Sequence, residues 1–305
     1  MAKYKIYMLM IGIMFFWGMN VVALKLLVSF FNPLTMTAFR IFIAALTVVL
    51  IVIGLKKFRW LNWQEWKWVL LASLLGIVIH HMLLATGMAG TSAVKTSIII
   101  GFSPLVTAIF AFLFRFSRFQ ILQFAGFVIG AFGVVMAVLN DGGMGDSLEW
   151  GDILVFLSII SQALSFLVIR KVSAEVDSFL LTGYMLLAGS LFLLLGSLAI
   201  DPGSWREIFG APSEYYLLLI GSAVLATAIG QTAYNYAISQ IGAAETAIFG
   251  NFNTIFALIG TAVFLKEVIR GTQLIGCLLI IFGVLLGTGA LQEMIIKRRR
   301  IKEQL

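Results

Sequence analysis

The sequence predicts an all-α integral membrane protein of ten transmembrane helices, built as two inverted five-helix repeats. Three observations predict it: an apolar excess too large for a water-soluble core, ten segments of spanning length, and a self-match of the chain at a spacing of 150 residues. Of 305 residues, 61% are hydrophobic and 11% charged, with a mean hydropathy of +1.05. Lipid must be the solvent for most of that surface.

Apolar stretches fall near residues 6–30, 33–55, 66–89, 92–114, 119–139, 152–170, 178–200, 214–239, 243–265 and 271–291. About 20 apolar residues cross a hydrocarbon core of about 30 Å. Backbone amides in lipid must bond internally, and these runs are far too long for barrel strands, so they read as helices. The first runs on from Lys3 and Lys5 through Trp17, Asn20 and Lys25 without a small-residue cleavage site, and reads as a helix and not a secretion signal.

Lysines and arginines set the orientation. With the N-terminus in the cytoplasm, Lys56, Lys57, Arg59, Lys67, Arg115, Arg118, Arg170, Lys171 and the cluster 297–302 all fall inside, and only Arg206, Lys266 and Arg270 fall outside. Both termini are therefore expected in the cytoplasm. The chain divides into an N-terminal repeat (1–140), an external linker (141–151), a C-terminal repeat (152–291) and a basic cytoplasmic tail (292–305). The net charge of +7 is spread over helix ends, which argues for membrane orientation and against a nucleic-acid partner. The single cysteine, Cys277, lies in an apolar run and supports no disulfide framework.

Shifting the chain by 150 residues pairs identical residues without a gap between 93 and 136, among them Ala93/Ala243, Thr96/Thr246, Phe102/Phe252, Gln123/Gln273, Gly126/Gly276 and Gly133/Gly283. The full set has 11 identities, where chance gives roughly three or four, so a duplication is favoured. Five helices per repeat is odd, so the halves sit in opposite orientations about an axis in the membrane plane. That arrangement is common in secondary transporters, with the solute site at the repeat interface near mid-membrane.

Phe16-Trp17-Gly18-Met19-Asn20, Asn32-Pro33 followed by Arg40-Ile41-Phe42-Ile43-Ala44, Ser103-Pro104, Glu267, and the paired Gln-x-x-Gly segments from Gln123 and Gln273 span nearly the whole chain. On these signatures the sequence resembles EamA-type permeases of the drug/metabolite transporter superfamily. The resemblance implies a carrier of amino acids, drugs, purines or other metabolites in the cytoplasmic membrane of a bacterium. Two departures stand out: Arg115-Phe-Ser-Arg118 replaces the family's acidic residue after helix 4, and Asn253-Thr254 stands where helix 9 has its customary proline. Helix 9 is accordingly expected to be less kinked than helix 4.

Ionisable and amide groups inside spanning helices are costly, which makes them candidates for the solute path. The candidate substrate-binding residues are Trp17 and Asn20 on helix 1, His80 on helix 3, Gln231, Tyr234 and Asn235 on helix 8, and Glu245 on helix 9. Arg40 and Lys95 are candidate gates or charge partners; Lys95 and Glu245 hold matching positions in the two repeats. Against each stands a structural reading: hydrogen-bonding glue for the amides and for Ser158, Ser161, Gln162 and Ser165 of helix 6, snorkelling for Arg40 and Lys25, wet helix ends for Lys95 and Glu245. Adjacent His80 and His81 lie about 100° apart on the helix, so which of them faces a lumen is open. The glycines 126, 130, 133, 276, 283 and 287 read as close helix contacts.

No metal or cofactor is expected: the histidines lack nearby further ligands, and Gly90-Thr-Ser-Ala-Val-Lys95-Thr96 lacks the glycine before lysine that a phosphate loop needs. No catalytic constellation is legible, so the chain reads as a non-enzyme. The resulting expectation is a secondary transporter exporting small polar organic metabolites, amino acids or related compounds, by alternating access, with membrane lipids and a small solute as partners. A proton is one candidate coupling ion. The rivals are a drug, nucleoside or other metabolite carrier of the same fold, then a passive channel or a membrane-embedded enzyme.

Overall fold

The computed structural model describes residues 3–115, 121–139 and 148–287, all helix and connecting turns. The helices are α1 (Lys3–Phe30) and α2 (Pro33–Gly54), α3 (Trp63–Ala89) and α4 (Ala93–Leu113), α5 (Ile121–Leu139), α6 (Trp150–Val172) and α7 (Ser178–Ile200), α8 (Ser213–Ile241), α9 in the pieces Ala243–Ile248, Gly250–Gly260 and Thr261–Leu265, and α10 (Gly271–Gly287). Among the described residues, α1 to α9 are long and apolar enough to cross a membrane, and α10 is an apolar helix of 17 residues. Arg118, most of the linker and the basic tail lie outside the described residues.

Local chemistry sets the helix starts. Asn32 accepts from the amides of Leu34 and Thr35 ahead of Pro33, whose missing N–H costs nothing at a first helical position. Asn62 and Glu65 form a reciprocal capping box on α3. Between α8 and α9 the chain reverses through Gly242 at φ 85°, a conformation that disfavours any side chain. Arg115 and Lys266 take left-handed conformations at the repeat-related ends of α4 and α9.

The packing is two-fold repetitive. α1 lies against α8 and α9, and α6, its counterpart, lies against α3 and α4. Each half thus lends its first helix to the other half. α2 packs on α7, and α5 on α10. In the α5–α10 contact a Cβ on Gly133 would sit 2.7 Å from the Gly276 carbonyl oxygen and one on Gly283 2.6 Å from that of Gly126, so glycine lets the two backbones touch. The starts of α1 and α6 lie at opposite ends of the bundle: Tyr7 meets Glu245 at one, Asp152 meets Lys95 at the other.

Among the described residues four spanning helices are interrupted, again in pairs. α3 and α8 widen into π-helical turns at Leu74–Ile79 and Ser222–Gly230, segments that the 150-residue shift superimposes. Such turns often mark functional sites. α4 breaks at Phe102, two residues before Pro104. α9, expected to be less kinked than α4, is interrupted as well, at Phe249, three residues before the position matching Phe102. A Cβ on Gly250 would lie 3.3 Å from Pro104 Cγ, and one on Gly101 would lie 2.6 Å from Thr254 Oγ1, so the two breaks interlock.

Candidate functional site

The interlocked breaks and widened turns surround a cavity of about 120 Å³ lined by residues of α1, α2, α3, α4, α6, α8 and α9. Both repeats contribute to its walls. Trp17 donates its indole N–H to the Ala226 carbonyl at 2.8 Å, within the widened turn of α8, and its ring stacks on Tyr234 with centroids 4.9 Å apart. Phe166 packs on the other side of Tyr234 at 4.8 Å, completing an aromatic wall. Asn20 accepts from Ser222 Oγ at 2.5 Å.

Arg40 is 1% exposed. Its Nη1 donates to Thr227 Oγ1 at 2.6 Å and its Nη2 lies 3.2 Å from His81 Nδ1. Among the described residues it has no carboxylate within ion-pair distance, and its Nε has no hydrogen-bond partner. Both histidines line the cavity, flanking it with ring centroids 4.7 Å apart. His80 Nδ1 is 3.0 Å from the Ser158 carbonyl, which only accepts, so that nitrogen carries the proton.

Of the residues chosen from sequence, Trp17, Asn20, Arg40, His80, Gln231 and Tyr234 line this space. Three do not. Asn235, 0% exposed, accepts from Gln231 Nε2 and donates to Thr182 Oγ1 at 2.9 Å, bracing α8 against α7. Glu245 lies at the end of the bundle, where Tyr7 donates to it at 2.5 Å. Lys95, 2% exposed, lies at the other end, 3.6 Å from Glu149 and 3.7 Å from Asp152. These pairings explain the separation: a charge one turn inside its helix is stabilised by partners at the helix ends, not by the cavity.

Gln162 and Asn253 also line the cavity, each with an unpartnered side-chain oxygen. Gln162 was visible in the polar face of helix 6; Asn253 was visible only as the residue beside the missing proline. The helix 6 serines are structural. Ser161 and Ser165 donate to the Leu75 and Ala72 carbonyls at 2.7 and 2.9 Å, occupying acceptors around the widened turn of α3. Among the described residues no cluster of His, Cys, Asp or Glu could hold a metal.

The end of the bundle holding Lys95 is sealed. Thr91 donates to Asp152 at 2.5 Å, Lys25 reaches the carbonyls of Met88 and Thr91 at 2.8 and 2.5 Å, and Glu267 accepts from the amides of Ala93 and Val94 at the start of α4. That carboxylate also complements the positive pole of the helix.

A multi-pass bundle with paired repeats, broken helices and a mid-bundle cavity lined from both halves has the architecture of a membrane carrier. The chain belongs to the EamA-like transporter family, whose model matches residues 4–139 and again 149–288. It is 25% identical over 291 residues to the uncharacterized transporter YvbV of Bacillus subtilis, covering 94% of this chain and 92% of that one. It is 27% identical over 312 residues to YyaM of the same organism, named likewise, covering 100% and 99%. A solved crystal structure 17% identical in sequence shares the fold, with a TM-score of 0.68 over 93% of this chain and 97% of that chain.

Proposed function

We propose that this protein is a secondary carrier exporting small polar organic metabolites, amino acids and related compounds, across a bacterial cytoplasmic membrane by alternating access. One observation carries the reading: the cavity lies where the two repeats interlock, sealed at one end by the Lys95 cluster. Exchanging the conformations of two inverted repeats would open the sealed end and close the other. The walls combine an aromatic face with a few polar groups, the usual composition of a small-molecule site. The driving force is the solute's own gradient or a coupled ion, a proton being the first to test.

Both termini are assigned to the cytoplasm. Lys56, Lys57, Arg59, Arg170 and Lys171 share the end bearing the start of α1, while Glu149, Asp152, Asp201, Glu207 and Glu267 share the other. A membrane-impermeant thiol reagent should label Gly203→Cys in intact cells on a Cys277→Ser background; labelling only after rupture would invert the topology.

The functional test is flux in proteoliposomes. A carrier shows saturable uptake and acceleration by solute on the opposite side, whereas a channel shows neither. Uptake that stays linear with concentration and lacks counterflow would overturn the carrier reading.

A further inference from the structure

We infer that the cavity docks a carboxylate on the Nε edge of Arg40; this rests on the carrier reading and names the chemical class of its solute. A guanidinium only donates, so His81 Nδ1, 3.2 Å from Arg40 Nη2, accepts, and the imidazole proton sits on Nε2. His81 Nε2 and Arg40 Nε are both buried without a hydrogen-bond partner. Unmet buried donors are rare, and the one on the cation, Arg40 Nε, calls for an anionic acceptor, while His81 Nε2–H, on the far side of its ring from Arg40, is open to a separate one.

Charge points the same way. Arg40 is the one lysine, arginine, aspartate or glutamate among the described cavity-lining residues. A guanidinium in a low-dielectric site demands a counter-charge, and one unbalanced positive charge matches a monoanion. With Nη1 taken by Thr227, Nε and the second hydrogen of Nη2 remain as a planar fork that fits the two oxygens of a carboxylate. Also in the lining, Gln162 and Asn253 each have an unpartnered oxygen that can take a donor, and Trp17, Tyr234 and Phe166 offer an aromatic wall. The solute is therefore a small apolar or aromatic monocarboxylate, with or without an amino group.

The test uses the purified full-length protein and two matched series: phenylalanine, 3-phenylpropanoate, phenethylamine and phenylalaninamide, and the corresponding leucine set. Thermal stabilisation should follow the carboxylate, with amines and amides at least tenfold weaker. Tighter binding of the amino acid than of its deaminated partner assigns Gln162 and Asn253 to the ammonium; the reverse assigns a simple monocarboxylate. Arg40→Lys keeps the charge but loses the fork, and should weaken carboxylates at least tenfold; because the ligand series is read on wild type, the test survives a variant that does not fold. Equal stabilisation by acids and amines, none by any acid, or unchanged affinity in a folded Arg40→Lys overturns the dock. Carboxylate-dependent binding without counterflow would remove the carrier reading and leave the dock; counterflow indifferent to the carboxylate would do the opposite.

Discussion

The two halves of the molecule carry the same backbone device and equip it differently. In α3 the widened turn and its approach are filled by two hydroxyls of α6, Ser161 and Ser165, and the packing is so close that a Cβ on Gly76 would collide with Ser165. In α8 the corresponding turn is filled by a single indole from α1, Trp17, which then extends into the cavity wall. Small donors make a scaffold, whereas a large donor makes a scaffold with a surface. The same divergence separates Lys95 from Glu245, repeat-related residues at opposite ends. Lys95 is buried among carboxylates, while Glu245 is half-buried beside Tyr7. An inverted repeat thus supplies a symmetric frame, and its side chains decide which end is sealed.

The largest effect should come from the sealed end. Lys95→Met leaves Asp152, whose side chain is 1% exposed, without its cation, and should cost about 3–5 kcal/mol. Thermal unfolding in detergent checks this, and adding Asp152→Asn should recover part of the loss. A Lys95→Met protein as stable as wild type would remove the distinction between the ends.

Next come the turn donors. Trp17→Phe keeps an aromatic ring but strands the Ala226 carbonyl, at about 1–3 kcal/mol, and should also weaken solute binding. Ser161→Ala removes one of two donors to the Leu75 carbonyl, which keeps the His80 amide, and should cost only about 1 kcal/mol without touching solute affinity. If both variants lowered affinity alike, the assignment of scaffold to α3 and surface to α8 would fail.

Glu245→Gln preserves an acceptor for Tyr7 and should cost only about 1 kcal/mol. Its flux relative to wild type between pH 6 and 8 tests whether the Glu245 end needs a charge; loss of pH dependence would assign Glu245 the proton.

The smallest effect lies on the surface. Burial opposes ionisation of Asp177, but hydrogen bonds from Lys57 and from the Phe179 amide outweigh it and hold the carboxyl below its ordinary value. A lowered folded value means stability present above the unfolded value and lost as pH falls through the folded one. Because the pair is about 40% exposed, solvent screening keeps its contribution under about 1 kcal/mol. Asp177→Asn should therefore lower the melting temperature slightly at pH 7, with the difference fading as acid protonates the folded carboxyl.

By itself the sequence determined the class, the helices and the duplication, because a span needs only length and hydropathy, and identity at 150 residues needs only counting. It also marked Trp17, Asn20, Arg40, His80, Gln231 and Tyr234 as polar or aromatic groups at a depth where such groups need a reason. Tertiary structure alone decided what each one meets. Asn235 lies one turn from Gln231 and looked equivalent to it, yet Thr182 of α7 claims it; Lys95 and Glu245 are claimed by partners at the ends of the bundle. Helical periodicity tells which residues share a face but not which neighbour that face meets, and the break in α9 lies beside Pro104, a residue far away in the chain. The pairing of helices across the two halves is a long-range choice, and it turned a set of polar positions into one cavity and two differently closed ends.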